Sequence, residues 1–260
     1  MSFANQVAVI TGASSGIGWE LAKALAKQGC AVGLLARRLE RLEELATEIR
    51  AGGGKVATVK ADVVDRKATV AAIHSLRDQL GPVDLLVANS GIGLPTELEP
   101  LNMDEVDNMI RVNYLGVVYA IEAVLPEMLQ RQKGHLAAVS SLASYKGMPG
   151  ESGYCSSKAA VNVYMEGLRI QLRSRGIAVT TICPGFIKTP MTAVNEFPMP
   201  WLMTADKAAA KILRALEKKK KVFNFPWQTT LLMKFTRWVP DWIMARSLKG
   251  YTGDRPKPPQ

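Results

Sequence analysis

Residues Gln6-Val7-Ala8-Val9-Ile10-Thr11 read as a short buried strand. The run leads directly into Gly12-Ala13-Ser14-Ser15-Gly16-Ile17-Gly18, and then into Leu21, Ala24 and Leu25 at helical spacing. Strand, glycine loop and helix, in that order, form the context in which a dinucleotide fingerprint has meaning. Glycines permit a tight turn and close approach of the backbone to a pyrophosphate. The helix N-terminus adds free N–H groups and the positive end of its dipole. The spacing is Gly-x-x-x-Gly-x-Gly and not the commoner Gly-x-Gly-x-x-Gly. By itself such a loop is weak evidence, because glycines also simply make turns.

The rest of the chain repeats the alternation. Strand-like runs fall at 7–11, 31–36, 56–60, 85–88, 136–140, 178–182 and 222–225, with amphipathic helical stretches such as Leu39 to Arg50 and Lys67 to Leu80 between them. Alternating strands and helices imply a parallel sheet covered on both faces. Right-handed crossovers then give a doubly wound α/β sheet of Rossmann type, with seven strands and helices on both faces. At 260 residues the chain is one domain, 1–260, with 222–260 as a C-terminal amphipathic extension. Lys249 to Gln260 is polar and proline-rich and is expected to fray.

Tyr154 and Lys158 stand one helical turn apart in Tyr154-Cys155-Ser156-Ser157-Lys158. An ammonium near a phenol favours the phenolate and lowers a pKa that is ordinarily near ~10. Such a tyrosine can pass a proton near neutral pH. Tyr-x-x-x-Lys alone is also a common surface pair. Two polar residues lie upstream. Ser141 follows the apolar strand Leu136 to Val139, thirteen residues before Tyr154, and Asn113 lies twenty-eight before Ser141. With Thr11-Gly-x-x-x-Gly-x-Gly18 and Asn89-Ser90-Gly91, the chain resembles the short-chain dehydrogenase/reductase family over roughly residues 5 to 226. One departure is visible: the family's usual Asn-Ala-Gly is Asn-Ser-Gly here.

The resemblance implies an enzyme with Asn113, Ser141, Tyr154 and Lys158 as its catalytic set. Tyr154 would donate a proton to the developing alkoxide and Ser141 would hydrogen-bond the carbonyl oxygen. Lys158 would lower the tyrosine pKa and hold the nicotinamide ribose, and Asn113 would order a water that relays protons to Lys158. Ser140 is the rival to Ser141, but strand alternation points it the other way. Gly12, Ser14, Ser15, Gly16, Ile17 and Gly18 would form the pyrophosphate loop. Asp62 and Val63 would flank the adenine, with Asn89, Ser90 and Gly91 on the adenine-ribose side. Pro184, Gly185, Ile187 and Thr189 would meet the nicotinamide end. For Asp62, capping the following helix is the competing role. The second strand ends at Ala36, where an NAD enzyme often carries an acidic residue for the ribose 2′-OH. Arg37 and Arg38 follow instead, and a guanidinium fork suits a phosphate. The expected cofactor is therefore NADP(H), with Arg37 as the chief contact; the competing role is the start of a solvated helix.

Composition adds bounds. Cys30, Cys155 and Cys183 form no paired framework, which suits a reducing cytoplasm, and Cys155 reads as a packing residue. His74 and His135 have no metal-ligand spacing, and no metal is expected. No signal peptide is evident, and no apolar run reaches the ~20 residues of a membrane span. A net charge of +10 fits an anionic cofactor, nucleic acid or an anionic membrane surface. No nucleic-acid module is visible, so no nucleic-acid partner is expected.

The expected substrate is a hydrophobic ketone, aldehyde or secondary alcohol, with an acyl chain or a sterol-like skeleton as alternatives. The segment Met191 to Met203, usually the family's substrate lid, holds Met191, Phe197, Met199, Trp201, Leu202 and Met203, with Met148 and Met165 as further wall candidates. The alternative is that these residues only pack the lid on the body. Beyond the lid come Lys218 to Lys221, then Phe223, Phe225, Trp227, Leu231, Leu232, Phe235, Trp238, Trp242 and Ile243. Pro240 predicts two short amphipathic helices. They read as an interfacial membrane anchor or as a tail packed over the site or a subunit contact. Family resemblance implies a homodimer or homotetramer, and Ala159, Ala160, Val163 and Gly167 offer a face for it. The competing function is a non-catalytic NADP(H)-sensing or membrane-surface scaffold on the same fold.

Overall fold

A computed structural model of the chain describes residues 3–195 and 197–247. Seven parallel strands form one sheet: β1 Val7–Thr11, β2 Ala31–Ala36, β3 Val56–Lys60, β4 Leu85–Ala88, β5 Gly134–Val139, β6 Ile177–Pro184 and, later in the chain, a last strand Val222–Phe225. A separate two-stranded pair, β7 Ile187–Lys188 and β8 Met203–Thr204, precedes that last strand, which is therefore β9. The order across the sheet is β3-β2-β1-β4-β5-β6-β9. β1 pairs with both β2 and β4, so the strand order reverses beside it. Doubly wound sheets bind ligands at such a switch point, outside the carboxyl ends of the strands.

The helices are α1 Gly16–Lys27, α2 Leu39–Ala51, α3 Arg66–Leu80, α4 Met103–Ile110, α5 Gly116–Arg131, α6 Ser152–Gln171 and α7 Ala205–Glu217. Alternate strand residues feed two separate cores. Val9, Leu35, Leu86, Leu136 and Val179 pack with Ile73, Leu76, Ile121, Val161 and Met165 of α3, α5 and α6. Ile10, Leu34, Val87, Ala137 and Ile182 pack with Leu21, Leu25, Leu42, Leu45 and Ile212 of α1, α2 and α7. Side chains that point alternately to opposite faces of a strand require this division. Full burial of each large aliphatic side chain is worth about 2 kcal/mol.

Two expectations change. α4, a π-helical turn Arg111–Leu115 and α5 run on as one helix, Met103–Arg131, long and apolar enough to cross a membrane. About half of its most apolar window is buried inside the protein, with Val117, Ala120, Ile121, Val124 and Met128 in the core. It is a core helix of the sheet's covering layer. The second change concerns the C-terminal extension. Val222–Phe225 is the edge strand of the main sheet, in register with Thr181–Pro184. What lies outside the sheet begins at α8, Trp227–Thr236, followed by α9, Asp241–Ser247. Pro240 does separate the two helices. The expectation of fraying at Lys249 to Gln260 lies outside the described residues.

Candidate active site

The carboxyl ends of β1, β2, β4, β5 and β6 open on one cleft of about 640 Å³. Its wall includes the glycine loop at Gly12, Ser14, Ser15, Gly16 and Ile17, then Arg37, Arg38, Asp62, Val63, Asn89, Ser90 and Gly91. The other end is lined by Ser141, Tyr154, Lys158, Pro184, Gly185, Ile187 and Thr189. Gly18 and Asn113 stand behind this wall. Gly18 is buried in the first turn of α1, and Asn113 is buried in the π-helical turn.

The glycine loop is built for close approach. Gly16 has φ +59, and a Cβ there would lie 2.9 Å from Thr189 Cγ2. The first turn of α1 therefore touches the loop after β7, and the two ends of the site meet across a glycine. Ser15 precedes α1 without a side-chain cap. Loop N–H groups at a helix N-terminus are what an anion such as a pyrophosphate binds. Thr11 Oγ1 accepts from the N–H groups of Asn89 and Ser90 at 3.0 and 3.1 Å, and Asn89 Nδ2 donates back to Thr11 O and Gly12 O. These bonds lock the loops after β1 and β4 to each other.

The two arginines divide. Arg38, not Arg37, reaches the glycine loop: its Nη2 donates to Ser14 Oγ at 2.9 Å and to Ser15 Oγ at 3.0 Å. Arg37 is 68% exposed along its side chain and lies 3.7 Å from Asp62. Arg38 is thus the arginine anchored to the glycine loop, while Arg37 extends beside Asp62. Arg38 is also the residue that precedes α2, so the competing role as the start of a solvated helix describes its backbone. Asp62 Oδ1 accepts from Val64 N at 3.2 Å in a local turn, whereas Asp65 caps α3 through Ala68 N. Capping is thus not the role of Asp62.

At the far end, α6 presents Tyr154 and Lys158 on one face. Lys158 is buried, and its Nζ donates to Val139 O at 3.0 Å. Burial pushes its amine down to about 8. Tyr154 lines the cleft with its hydroxyl end buried. Burial pushes the phenol up to about 12, against the opposing pull of its hydrogen bond with Ser141. The lysine Nζ is 5.9 Å from the tyrosine ring centre. Burial thus outweighs the lowering pull on the phenol, which comes from Ser141. A protonated phenol is the form that donates.

Ser141 sits between β5 and the 3₁₀ turn Leu142–Tyr145, with its Oγ accepting from Ala143 N at 3.1 Å. Ser140 turns away, and its Oγ donates to Lys158 O at 3.0 Å. Ser140 thus fixes α6 against β5 while Ser141 faces Tyr154. Asn113 Oδ1 accepts from Ile92 N at 2.8 Å, and its Nδ2 donates to Ile92 O and to Ser157 Oγ, both at 2.9 Å. Lys158 Nζ and Asn113 Oδ1 both border Gly91. Sequence reasoning missed Ser157, whose hydroxyl joins Asn113 to Tyr154 O. It also missed Thr192, which accepts from Thr189 N at 3.0 Å and donates to Ile187 O at 2.6 Å. Thr192 pins the loop on which Thr189 rides, and the Thr-x-x-Thr spacing was the only available hint.

The lid residues scatter. Met191 lines the cleft with Leu94 and Val194. Phe197 packs edge-on against Phe186 at 5.9 Å, and Trp201 and Met203 line a separate hollow beside β9. Met165 is wholly buried in the core and Met148 does not line the cleft. Cys155 is buried and its thiol is pushed up to about 11 by burial, as a packing residue should be. His135 is buried with Nε2 2.8 Å from Thr180 Oγ1.

The family model described as short chain dehydrogenase matches residues 6–197. The chain belongs to the short-chain dehydrogenase/reductase family. An uncharacterized oxidoreductase of Myxococcus xanthus is 39% identical over 236 residues, 91% of this chain and 93% of that one. The crystal structure of levodione reductase superposes with a TM-score of 0.81 at 24% identity, covering 88% of this chain and 99% of that one. An alcohol dehydrogenase from the archaeon Thermococcus sibiricus, complexed with 5-hydroxy-NADP, does so with a TM-score of 0.76 at 31% identity over 85% and 94%. The chain is thus an oxidoreductase of a family that uses a nicotinamide cofactor. Its glycine cradle, the basic residues at one end of the cleft and the Tyr154–Lys158 pair at the other suit such a cofactor.

Proposed function

We propose that the chain is an NADP(H)-dependent reductase of hydrophobic ketones, or in reverse a dehydrogenase of the corresponding secondary alcohols. The observation that carries the cofactor choice is at the end of β2. Ala36 occupies the place of a ribose-binding carboxylate, and Arg37, Arg38, Ser14 and Ser15 surround the cleft there. Two guanidinium groups and two hydroxyls offer a 2′-phosphate charge-assisted hydrogen bonds that a bare ribose cannot use. The 5-hydroxy-NADP held by the Thermococcus sibiricus relative supports the same choice.

The bound cofactor supplies the hydride. Tyr154 holds the proton for the developing alkoxide, with a pKa that keeps it protonated through the physiological range. Ser141, bonded to Tyr154, offers its hydroxyl to the same oxygen. Lys158 places a buried amine behind them, and Asn113 and Ser157 fix the helix that carries both. Met191, Val194 and Leu94 form an apolar wall on the substrate side. The proposal includes a two-fold partner on the outer face of α6, where Val163 and Gly167 are exposed.

Cofactor choice is tested by titrating NADPH and NADH into wild type and Arg37→Ala/Arg38→Ala, read by nucleotide fluorescence. The wild type should prefer NADPH. The double variant should weaken NADPH binding by roughly 10- to 100-fold, the worth of one or two charged hydrogen bonds, and leave NADH nearly unchanged. Equal affinities in the wild type would sink the assignment.

A further inference from the structure

Among the described residues, the outer face of α8 and α9 is apolar and exposed. Trp227, Leu231, Phe235 and Trp238 follow one another at spacings of four, four and three residues. That spacing keeps them on a single stripe of the helix and its following turn. Trp227 is 68% exposed, Phe235 69% and Trp238 84%, while Thr229 on the opposite side of α8 is buried. Trp242, 70% exposed, and Ile243 continue the face onto α9. Scattered exposed apolar residues need no account, but three tryptophans and a phenylalanine in one segment do.

We propose that this face docks on an anionic lipid surface. Charge and residue type select that occupant. Between 227 and 247 the basic residues are Lys234, Arg237 and Arg246. The one acid there, Asp241, is tied to Lys146 at 2.9 Å. Lys234 is exposed and falls at the edge of the stripe, where a long stem reaches past an apolar layer to phosphate headgroups. The run Lys218 to Lys221 lies at the other end of β9 and adds to the same sign of field, in a chain of net charge +10. Tryptophan sits well at the boundary between acyl chains and headgroups, with its ring on the apolar side and its N–H on the wet side. A second copy of the chain is disfavoured as the occupant, because two such faces would set like charges against each other. The segment 248–260 offers only Leu248 and Tyr251 as large apolar side chains, against the six of the face.

The test uses the full chain and flotation with phosphatidylcholine vesicles, with and without phosphatidylglycerol. The wild type should float with the anionic vesicles roughly tenfold more strongly than with the neutral ones, and salt should weaken the binding. Phe235→Ser/Trp238→Ser/Trp242→Ser should reduce binding by roughly tenfold or more through lost apolar contact. Lys234→Glu/Arg237→Glu, which keeps every aromatic residue, should do so through charge. Should the triple variant fail to fold, the charge-reversed variant and the salt dependence of the wild type decide the matter. No flotation of the wild type, or flotation unchanged in the variants that fold, overturns the proposal. So does self-association of the wild type through these residues without lipid binding.

Discussion

Lys158→Met should make the protein more stable while it stops turnover. The amine is 3% exposed, and its carbonyl partner is Val139 O at 3.0 Å. Burial holds its pKa at about 8, against an ordinary 10.5. Carrying the charge at pH 7 therefore costs the fold about 3 kcal/mol relative to a lysine in water. Methionine fills similar length with no charge and forfeits one hydrogen bond, about 1 kcal/mol. The net gain is about 2 kcal/mol, or about 4–8 °C in melting temperature for a chain of this size. The sign of the pH dependence follows from the depressed pKa. Between pH 8 and 10.5 the unfolded chain binds a proton that the folded chain does not, so wild-type stability rises with pH across that window. The advantage of the variant is full below pH 8 and disappears as pH rises to 10.5. Urea unfolding of both proteins at pH 7 and pH 10, followed by tryptophan fluorescence, measures it. A variant less stable than wild type at pH 7, or a difference equal at both pH values, would refute the reasoning.

Tyr154→Phe should lower turnover of any accepted carbonyl substrate by roughly a hundredfold to ten-thousandfold, while NADPH binding is retained. Turnover near the wild-type level would remove Tyr154 as the proton donor. His135 is held neutral, its pKa pushed down from 6.5 to about 4 by burial and then by Lys219. Its contribution to stability is complete above pH 6.5 and is lost as pH falls through about 4, about 3 kcal/mol in all. His135→Gln should flatten the acid limb of stability between those values, and an unchanged slope would place the acid sensitivity elsewhere.

Much of this was legible in the sequence because strand alternation and chain spacing are local signals. The limits of β1, β2, β3, β4 and β9 fall where the apolar runs do. β5 begins two residues before its apolar run and stops at Val139, one short of the expected end, while β6 extends past its run at both ends, since pairing of Gly134 with Ile177 and of Pro184 with Phe225 carries the ladder beyond the apolar residues. The strands β7 and β8 hold two residues each and have no periodicity to read. Which arginine is anchored was hidden for a different reason. Arg37 and Arg38 are chemically alike, and the twist of the chain leaving β2 turns Arg38 toward Ser14 and Ser15. The lid misled because apolar character does not say which cavity a side chain faces: Met191 faces the cleft and Met165 the core. The upward push on the tyrosine pKa was not legible, because sequence reveals a neighbouring charge more readily than depth of burial.

The C-terminal helices are more than an appendage to the reaction centre. Gly185, on the cleft wall after β6, has no side chain, and the space a Cβ would take is bounded by Pro226 at 3.2 Å, Thr229 at 3.4 Å and Leu142 at 3.5 Å. Leu142 is the residue after Ser141, and Tyr145 in the same turn donates from its hydroxyl to Asn224 of β9 at 3.0 Å. Lys146 then meets Asp241 of α9. The turn that aims Ser141 at Tyr154 is thus held from outside by β9, α8 and α9. Its inner side is held by Ser144, which donates to Ser141 O at 2.6 Å and accepts from Asn162 Nδ2 of α6. A catalytic hydroxyl must be fixed to a fraction of an ångström to act on a developing charge. The segment with the exposed tryptophans therefore also braces the serine, and its inward and outward faces carry separate tasks.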